Sequence, residues 1–420
     1  MMLAQQLSDS AATYPQHICI VTETFPPEVN GVALTLSHLV KGLRERGHAV
    51  SVIRPRQRKA DGPATANDPF TTLVRGLPLP GYRGLQFGLP CGRMFRHLWT
   101  LNRPDAVYIA TEGPLGWSAA SAARHLGLTA LSGFHTNYHS YSKHYRLGPF
   151  ERVVFRYLCG FHNRTAGTLV PTEDLRARLQ DLGLTNVSFM GRGVDSDQFG
   201  PQHRSMELRR EWGVLPSDLA ILYVGRLAPE KNLAVAVEAF RRMKQKRQSL
   251  KFIVVGDGPL RGSMQEQNPD LIFRGMLTGE PLAGHYASAD IFLFASETET
   301  FGNVTLEAMA SGLVVVAYDY AAAKLHIKHR ETGVLVPYGD GEAFADSAAS
   351  LVWDLPAIQR MRSNARQYVA SIQWSRVVEK FESLLTGAVD SSTDGPQSRY
   401  TPPSSMVTSR GFAIAARGRI

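Results

Sequence analysis

Short runs of consecutive apolar residues recur along the chain, and a stretch with helical periodicity follows most of them. HICIVTETF (17–25) is the first and reads as a buried strand. The next stretch, GVALTLSHLVKGLRERG, lines up Val32, Leu36, Leu39 and Leu43 on one helical face. It stops at Gly47, a residue type that closes helices. HAVSVIRP (48–55), DAVYIAT (105–111), TALSGFH (129–135) and GTLVPT (167–172) continue the series. A second series follows: LAILYVGR (219–226), KFIVVGDG (251–258), LIFRG (271–275), IFLFAS (291–296), LVVVAY (313–318) and GVLVPY (333–338). Strands that are apolar throughout, with helices between them, predict parallel sheets covered on both faces. The fold class expected is α/β, with two doubly wound, Rossmann-like halves facing each other across a cleft.

The expected division is a flexible N-terminus over 1–16, a first half over 17–190, and a second half over 191–372. A helix over 373–388 comes next. The tail 389–420, which includes DSSTDGPQSRYTPPSSMVTSRG, is rich in Ser, Thr, Pro and Gly and is expected to be disordered. Helices near 341–355 and 357–371 should close the second half. With 420 residues there is ample chain for two cores.

Charge narrows the partners. The net charge is +9, which favours anionic ligands such as nucleotides, phosphates or an anionic membrane surface. No RNP, KH or zinc-finger pattern accompanies it, so a nucleic acid is not expected as a partner. Cys19, Cys91 and Cys159 are far apart and make no CxxC pair, which fits three free thiols in a reducing compartment. The opening MMLAQQLSDSAATYPQ lacks the features of a secretory signal, and no apolar run approaches the ~20 residues of a membrane helix. A cytoplasmic location is expected, with peripheral contact to the inner face of the membrane. The basic run RPRQRK (54–59), with aromatics in GYRGLQFGLP (81–90) and YSKHYR (141–146), is the candidate surface for that contact. The second basic run, RRMKQKRQSLK (241–251), reads as the solvated face of a helix.

In doubly wound sheets ligands bind outside the carboxyl ends of the strands, so the chemistry is sought just after each strand. VGRLAPEKN (224–232) puts Arg226 at a strand end and Lys231 at an expected helix start, a pairing suited to a diphosphate. Incidental loop charges explain it about as well. ETETFGNVTLEAMASG (297–312) sets Glu299 in a loop and Glu307 about one turn into the following helix. A carboxylate that accepts from two vicinal hydroxyls holds a ribose or another sugar, and amides of Phe301, Gly302 and Asn303 lie between the two acids. Two solvated acids at a helix start is the plainer reading, and it explains Glu299 poorly. TFPPEVNGV (24–32) lacks GxGxxG, so no nicotinamide fingerprint is present; Asn30-Gly31 still allows an amide to approach a phosphate. His135 follows a strand and should face the cleft as a hydrogen-bonding or acid/base group, unless it is an ordinary loop histidine. His135, His139 and His144 are irregularly spaced and no carboxylate or cysteine completes the set, so no metal site is expected.

In combination, GRGVDSDQF (191–199), YVGRLAPEKN, VVGDGPL (254–260) and the two glutamates of ETFGNVTLEAMASG resemble glycosyltransferase family 4. The resemblance runs from about Ile18 to about Trp374. TFPPEVNGVALTL and GFHTNYHSY look closest to a subgroup that glycosylates lipids, comprising mannosyl-, glucosyl- and sulfoquinovosyl-transferases. What it implies is a GT-B fold and a retaining transfer of a hexose from a nucleoside diphosphate sugar, UDP- or GDP-linked. No cofactor or metal is implied. The acceptor implied is a lipid or glycan hydroxyl, diacylglycerol among them. Arg226 and Lys231 match the donor diphosphate clamp, Glu307 the ribose-binding acid, and Glu299 the acid at the donor sugar's hydroxyls, assisted by Phe301, Gly302 and Asn303. Gly31 matches a loop glycine near the diphosphate. His135 matches a histidine that contacts the donor sugar and is needed for catalysis. The strip Arg274-Gly275-Met276 matches a loop beside the base. Many members have Gly-Gly where this chain has Ala321-Ala322, which leaves the donor open. GDP-mannose-dependent transfer in polysaccharide, lipopolysaccharide or phosphoinositide mannoside synthesis is the main rival, and a sugar-nucleotide epimerase of the same fold is a further one.

Overall fold

The structure is a computed structural model that describes residues 15–57, 70–78, 86–135 and 150–393. The tail beyond 393 and most of the N-terminal segment lie outside the described residues, as do 58–59 of the basic run, 81–85 and the YSKHYR stretch.

Among the described residues, nine strands belong to the first half: β1 His17–Val21, β2 Ala49–Pro55, β3 Thr71–Val74, β4 Gly76–Pro78, β5 Gln86–Gly88, β6 Ala106–Ile109, β7 Ala130–Gly133, β8 Gly167–Val170 and β9 Val187–Phe189. Seven of them form one parallel sheet in the order β3-β2-β1-β6-β7-β8-β9, and β4 and β5 pair as a small antiparallel ribbon. In the second half, β10 Ala220–Val224, β11 Lys251–Val255, β12 Ile272–Gly275, β13 Ile291–Phe294, β14 Val314–Tyr318 and β15 Val334–Val336 form a parallel sheet in the order β12-β11-β10-β13-β14-β15. Every strand read from apolar runs is present. The unforeseen ones are the two edge strands of the first sheet, β3 and β9, and the ribbon. Each has three or four residues, too few to carry a period.

Central strands are buried on both faces: Ala220 to Val224, Val314 to Tyr318 and Ala106 to Ile109 are buried throughout. Their continuous Val/Ile/Leu content follows from this, because helices cover both sides and leave no solvent face. Both sheets reverse direction once, between β1 and β6 and between β10 and β13. Loops diverge at such a switch point and open a crevice at the strands' carboxyl ends.

The helix Trp374–Thr393 returns to the first half, and runs past residue 388, where the tail was expected to begin. Its Val378, Phe381 and Leu385 join the core formed by β1, β6 and the helix Gly31–Glu45. Trp374 stacks on His38 with ring centroids 4.5 Å apart. Val378 fills the space beside Gly42, where a β-carbon would lie 2.5 Å from its methyl group. Glu382 accepts from Arg46 Nε at 2.5 Å and contacts His48 Nε2 at 2.9 Å. The chain crosses between the halves at Val194, which bridges to Gln373 beside that helix.

Candidate active site

The loops that leave β10 and β13, neighbours at the second sheet's switch point, are tied together. Arg226 follows β10. Lys231 ends a short 3-10 turn, Pro229–Lys231, so it precedes the helix Leu233–Lys246 instead of starting it as expected. Lys231 Nζ is ion-paired with Glu299 Oε1, which also accepts from Ser296 Oγ at 2.8 Å. Asn232 Nδ2 donates to Glu297 at 3.0 Å, and Thr298 Oγ1 donates to the Glu230 carbonyl at 3.3 Å. Arg226 Nη1 stands 3.8 Å from Glu230, which is itself buried. Lys231, read from sequence as one half of a diphosphate clamp, and Glu299, read as a sugar-binding acid, are therefore in direct contact.

Gly302 has φ +95°, a left-handed conformation that glycine adopts without strain. It lies directly before the helix Asn303–Ala310, and its carbonyl accepts from the Thr305 amide at 3.0 Å, which leaves the amides of Asn303 and Val304 at the helix's positive end. The N-terminus of the helix Gly31–Glu45 meets it from the first half: a β-carbon on Gly31 would lie 3.7 Å from Asn303 Nδ2. Asn30 caps that helix by accepting from Val32 and Ala33 amides at 3.1 and 2.9 Å, and donates to Thr24 Oγ1 at 2.7 Å. Two positive helix ends thus meet beside the Lys231–Glu299 pair, which is a field suited to a diphosphate.

Glu307 lies deeper, buried, and accepts from Tyr286 Oη at 2.8 Å. Burial pushes its carboxyl up to about 7, and the Tyr286 bond works the other way. Phe301 turns its ring into the core against His326, while its carbonyl accepts from the Ala322 amide at 2.8 Å. Ala321 has φ +51°. The strip Arg274-Gly275-Met276 ends β12, the sheet's edge strand. It is apart from the cluster, with Arg274 near Glu211 at 3.4 Å and Met276 exposed. Gly275 packs under the Arg261 guanidinium, which pairs with Asp257 at 3.3 Å.

His135 departs from expectation. Its ring does not open freely to the cleft: it is buried, with Nδ1 3.0 Å from Arg192 Nη2 and Nε2 3.1 Å from Tyr108 Oη. Burial, Arg192 and His162 together hold it well below the usual imidazole range. Its backbone carbonyl faces the second half and accepts from Thr300 Oγ1 at 2.8 Å. Arg192, Tyr108 and Thr300 had no assigned role in the sequence, although Arg192 stands inside GRGVD. Glu23 was also missed. It follows β1 at the first sheet's switch point and accepts from the amides of Gly88 and Leu115, so it joins the ribbon to the helix Pro114–His125. Burial raises its carboxyl to about 7.

Among the described residues no group of His, Cys, Asp and Glu is arranged to hold a metal ion; His139 and His144 lie outside them. No helix among the described residues is long and apolar enough to cross a membrane. Of the basic run at 54–59, Arg54 is buried and Arg56 exposed. In the 241–251 run, Arg241 and Lys244 pair with Asp270, and Arg242 with Glu238, Glu342 and Asp346.

The sequence pattern of "Glycosyltransferase Family 4" matches residues 29–198, and that of "Glycosyl transferases group 1" matches 218–354. A GDP-mannose-dependent alpha-mannosyltransferase of Mycolicibacterium smegmatis is 33% identical over 88% of this chain and 97% of its own. An alpha-monoglucosyldiacylglycerol synthase of Streptococcus pneumoniae is 27% identical over 72% of this chain and 70% of its own. In fold, the chain superposes on Anabaena HepE in complex with UDP with a TM-score of 0.70, at 18% identity over 88% of this chain and 100% of the other.

Proposed function

The chain belongs to glycosyltransferase family 4, with the GT-B fold and a nucleotide sugar as donor, and from that premise we propose that it is a retaining enzyme that moves mannose from GDP-mannose to a hydroxyl of a lipid-anchored acceptor. The observation that carries this is the convergence of Arg226, Lys231 and Glu299 with two helix N-termini at the switch point.

The difficult event is departure of a diphosphate as negative charge builds on it. Arg226, Lys231 and the Gly302–Asn303 helix end neutralise that charge more in the transition state than before it, which lowers the barrier. Glu299 is the carboxylate to consider as a nucleophile for double displacement. Its engagement by Lys231 and Ser296 favours a role in holding sugar hydroxyls instead. Transfer is then a same-face substitution in which the leaving phosphate oxygen takes the acceptor proton. Glu307 holds the ribose. His135, from the first half, presents its carbonyl beside Glu299 through Thr300.

Two points support guanosine over uridine. Relatives at 32–33% identity are named for GDP-mannose. The Asp257–Arg261 pair beside Gly275 offers an acceptor next to a donor, which matches the N–H donors and O6 acceptor on guanine's edge. UDP-glucose transfer to diacylglycerol remains the second reading, supported by the likeness to monoglucosyldiacylglycerol synthases. Phe70, Leu77 and Leu101 are exposed on the first half, as are Arg75, Arg93 and Arg96, which suits contact with an anionic bilayer. Nucleotide release from a panel of nucleotide sugars, with and without diacylglycerol vesicles, tests the proposal. GDP release from GDP-mannose should dominate. Faster turnover of UDP-glucose would replace the donor assignment, and no release from any sugar nucleotide would overturn the function. Flotation with anionic vesicles at low salt tests the membrane contact; protein that stays at the bottom of the gradient refutes it.

A further inference from the structure

Arg192 follows β9 closely, in the segment that leads from the first half to the second, and its guanidinium is buried at 5% exposure. It forms no ion pair with a carboxylate among the described residues. Nη1 donates to the carbonyls of Met190 at 3.2 Å and Gly191 at 3.1 Å, and Nη2 donates to His135 Nδ1 at 3.0 Å. Burying a cation without a counter-charge is costly. Surrounding side chains are fitted to this arrangement. A β-carbon at Gly133 would lie 2.2 Å from Tyr108 Oη and 2.5 Å from His135 Nε2, so glycine is what lets those two groups meet over β7. Tyr108 is itself fixed edge-on against Phe381 of the returning helix, with centroids 4.8 Å apart.

Chemistry then decides the proton. A guanidinium only donates, so His135 Nδ1 must accept. The ring proton therefore sits on Nε2 and donates to Tyr108 Oη at 3.1 Å. The titratable groups facing the ring are Arg192, Tyr108 and His162, and none of them stabilises an imidazolium. His162 is held down to about 3 by burial, and the Tyr108 hydroxyl is held protonated by burial.

We propose that Arg192 is a positioning residue for the transfer: it locks His135 as the neutral Nε2–H tautomer, so that His135 acts as a fixed node holding its carbonyl on Thr300 beside Glu299, and not as an acid or base. This rests on the reading of the cleft as the sugar-transfer site. It would join the geometry of the crossing segment to the geometry at the transferred sugar.

The test uses the full chain with 15N-labelled histidine, observed by NMR across pH 5.5–8.5, together with steady-state kinetics. In the wild type, His135 should show an unprotonated Nδ1 and a protonated Nε2 that do not titrate, and the kcat profile should lack a histidine limb. Arg192→Met should cost about tenfold or more in kcat with donor KM changed less than about threefold, and the His135 ring proton should spread over Nδ1 and Nε2. Arg192→Lys should restore both in part. If Arg192→Met does not fold, Tyr108→Phe should leave Nδ1 unprotonated and lower kcat more modestly. A wild-type ring that titrates in this range, or a kcat loss in Arg192→Met with an unchanged His135 signature, overturns the proposal. The two readings fail separately: the NMR signature judges the tautomer lock, while absence of nucleotide release by the wild type judges the proposed activity.

Discussion

Replacing Glu299 by glutamine should make the enzyme hold its nucleotide product more tightly while slowing transfer. Lys231 carries one charge on three N–H donors, so a nucleoside diphosphate entering the cleft competes with Glu299 for that charge and weakens the pair. Glu299 keeps its bond from Ser296 Oγ, and sugar hydroxyls that arrive with the phosphates make up for the weakened Lys231 contact. The two side chains are 18% and 15% exposed. Exposed pairs are worth about 0.2–1 kcal/mol, and losing one member of a fully buried pair costs about 3–5 kcal/mol. A largely shielded pair falls between, at about 1–2 kcal/mol, or roughly 5–30-fold in a binding constant. Glu299→Gln should tighten GDP by that factor. GDP-mannose should gain little, because the charge-assisted bonds from the sugar to Glu299, about 1.5–3 kcal/mol, are weakened together with the pair. Isothermal titration of both ligands into both proteins at one ionic strength measures the effect. GDP affinity in the variant equal to or below wild type would refute the competition, and with it the idea that Glu299 helps expel product.

Three further outcomes follow from particular residues. The raised carboxyl of Glu307, at about 7 against an ordinary 4.5, favours the protonated form in the folded chain. Its stabilising contribution is full below about pH 4.5, falls by up to about 1.4 kcal/mol per unit as pH rises from 4.5 to 7, and changes no further above 7. Melting temperature should fall between about pH 4.5 and 7 and level off above, and Glu307→Gln should remove part of that fall, with Glu23 supplying a further part. Ribose hydroxyls that donate to Glu307 should release protons near pH 7, visible as buffer-dependent heats; heats that do not depend on buffer would count against the ribose assignment. Ala321→Gly should stabilise the chain by up to about 1 kcal/mol by relieving the left-handed backbone, and a lowered melting temperature would disprove strain there. Asp290, buried between Arg204 at 2.9 Å, Arg209 at 2.9 Å and Arg362 at 3.0 Å, holds the second half together. Asp290→Ala should cost about 3–5 kcal/mol in urea unfolding, and an unchanged midpoint would show that the cluster does not carry that load.

Much of the site could be read from the chain because its parts are local. Arg226 to Lys231 and Glu299 to Glu307 each lie within one strand-end loop and the first turns after it. A strand pattern plus a helix pattern is enough to put them at a switch point. Reading failed where function depends on residues distant in sequence. GRGVD gave no hint that Arg192 reaches His135, because that contact spans 57 positions and is made only when β7 and β9 flank β8. Lys231 and Glu299 were both named, yet their pairing across 68 positions was not foreseen.

The sequence by itself determined the two parallel sheets, since continuous apolar runs between amphipathic helices have no other stable arrangement in water. It also determined which strand ends carry charge. Tertiary structure alone decided which charges neutralise one another, which nitrogen of His135 holds the proton, and how deeply Glu307 is buried. Those properties depend on distance and on exclusion of water, and both are set only when the two sheets, the crossing segment and the returning helix close on one another.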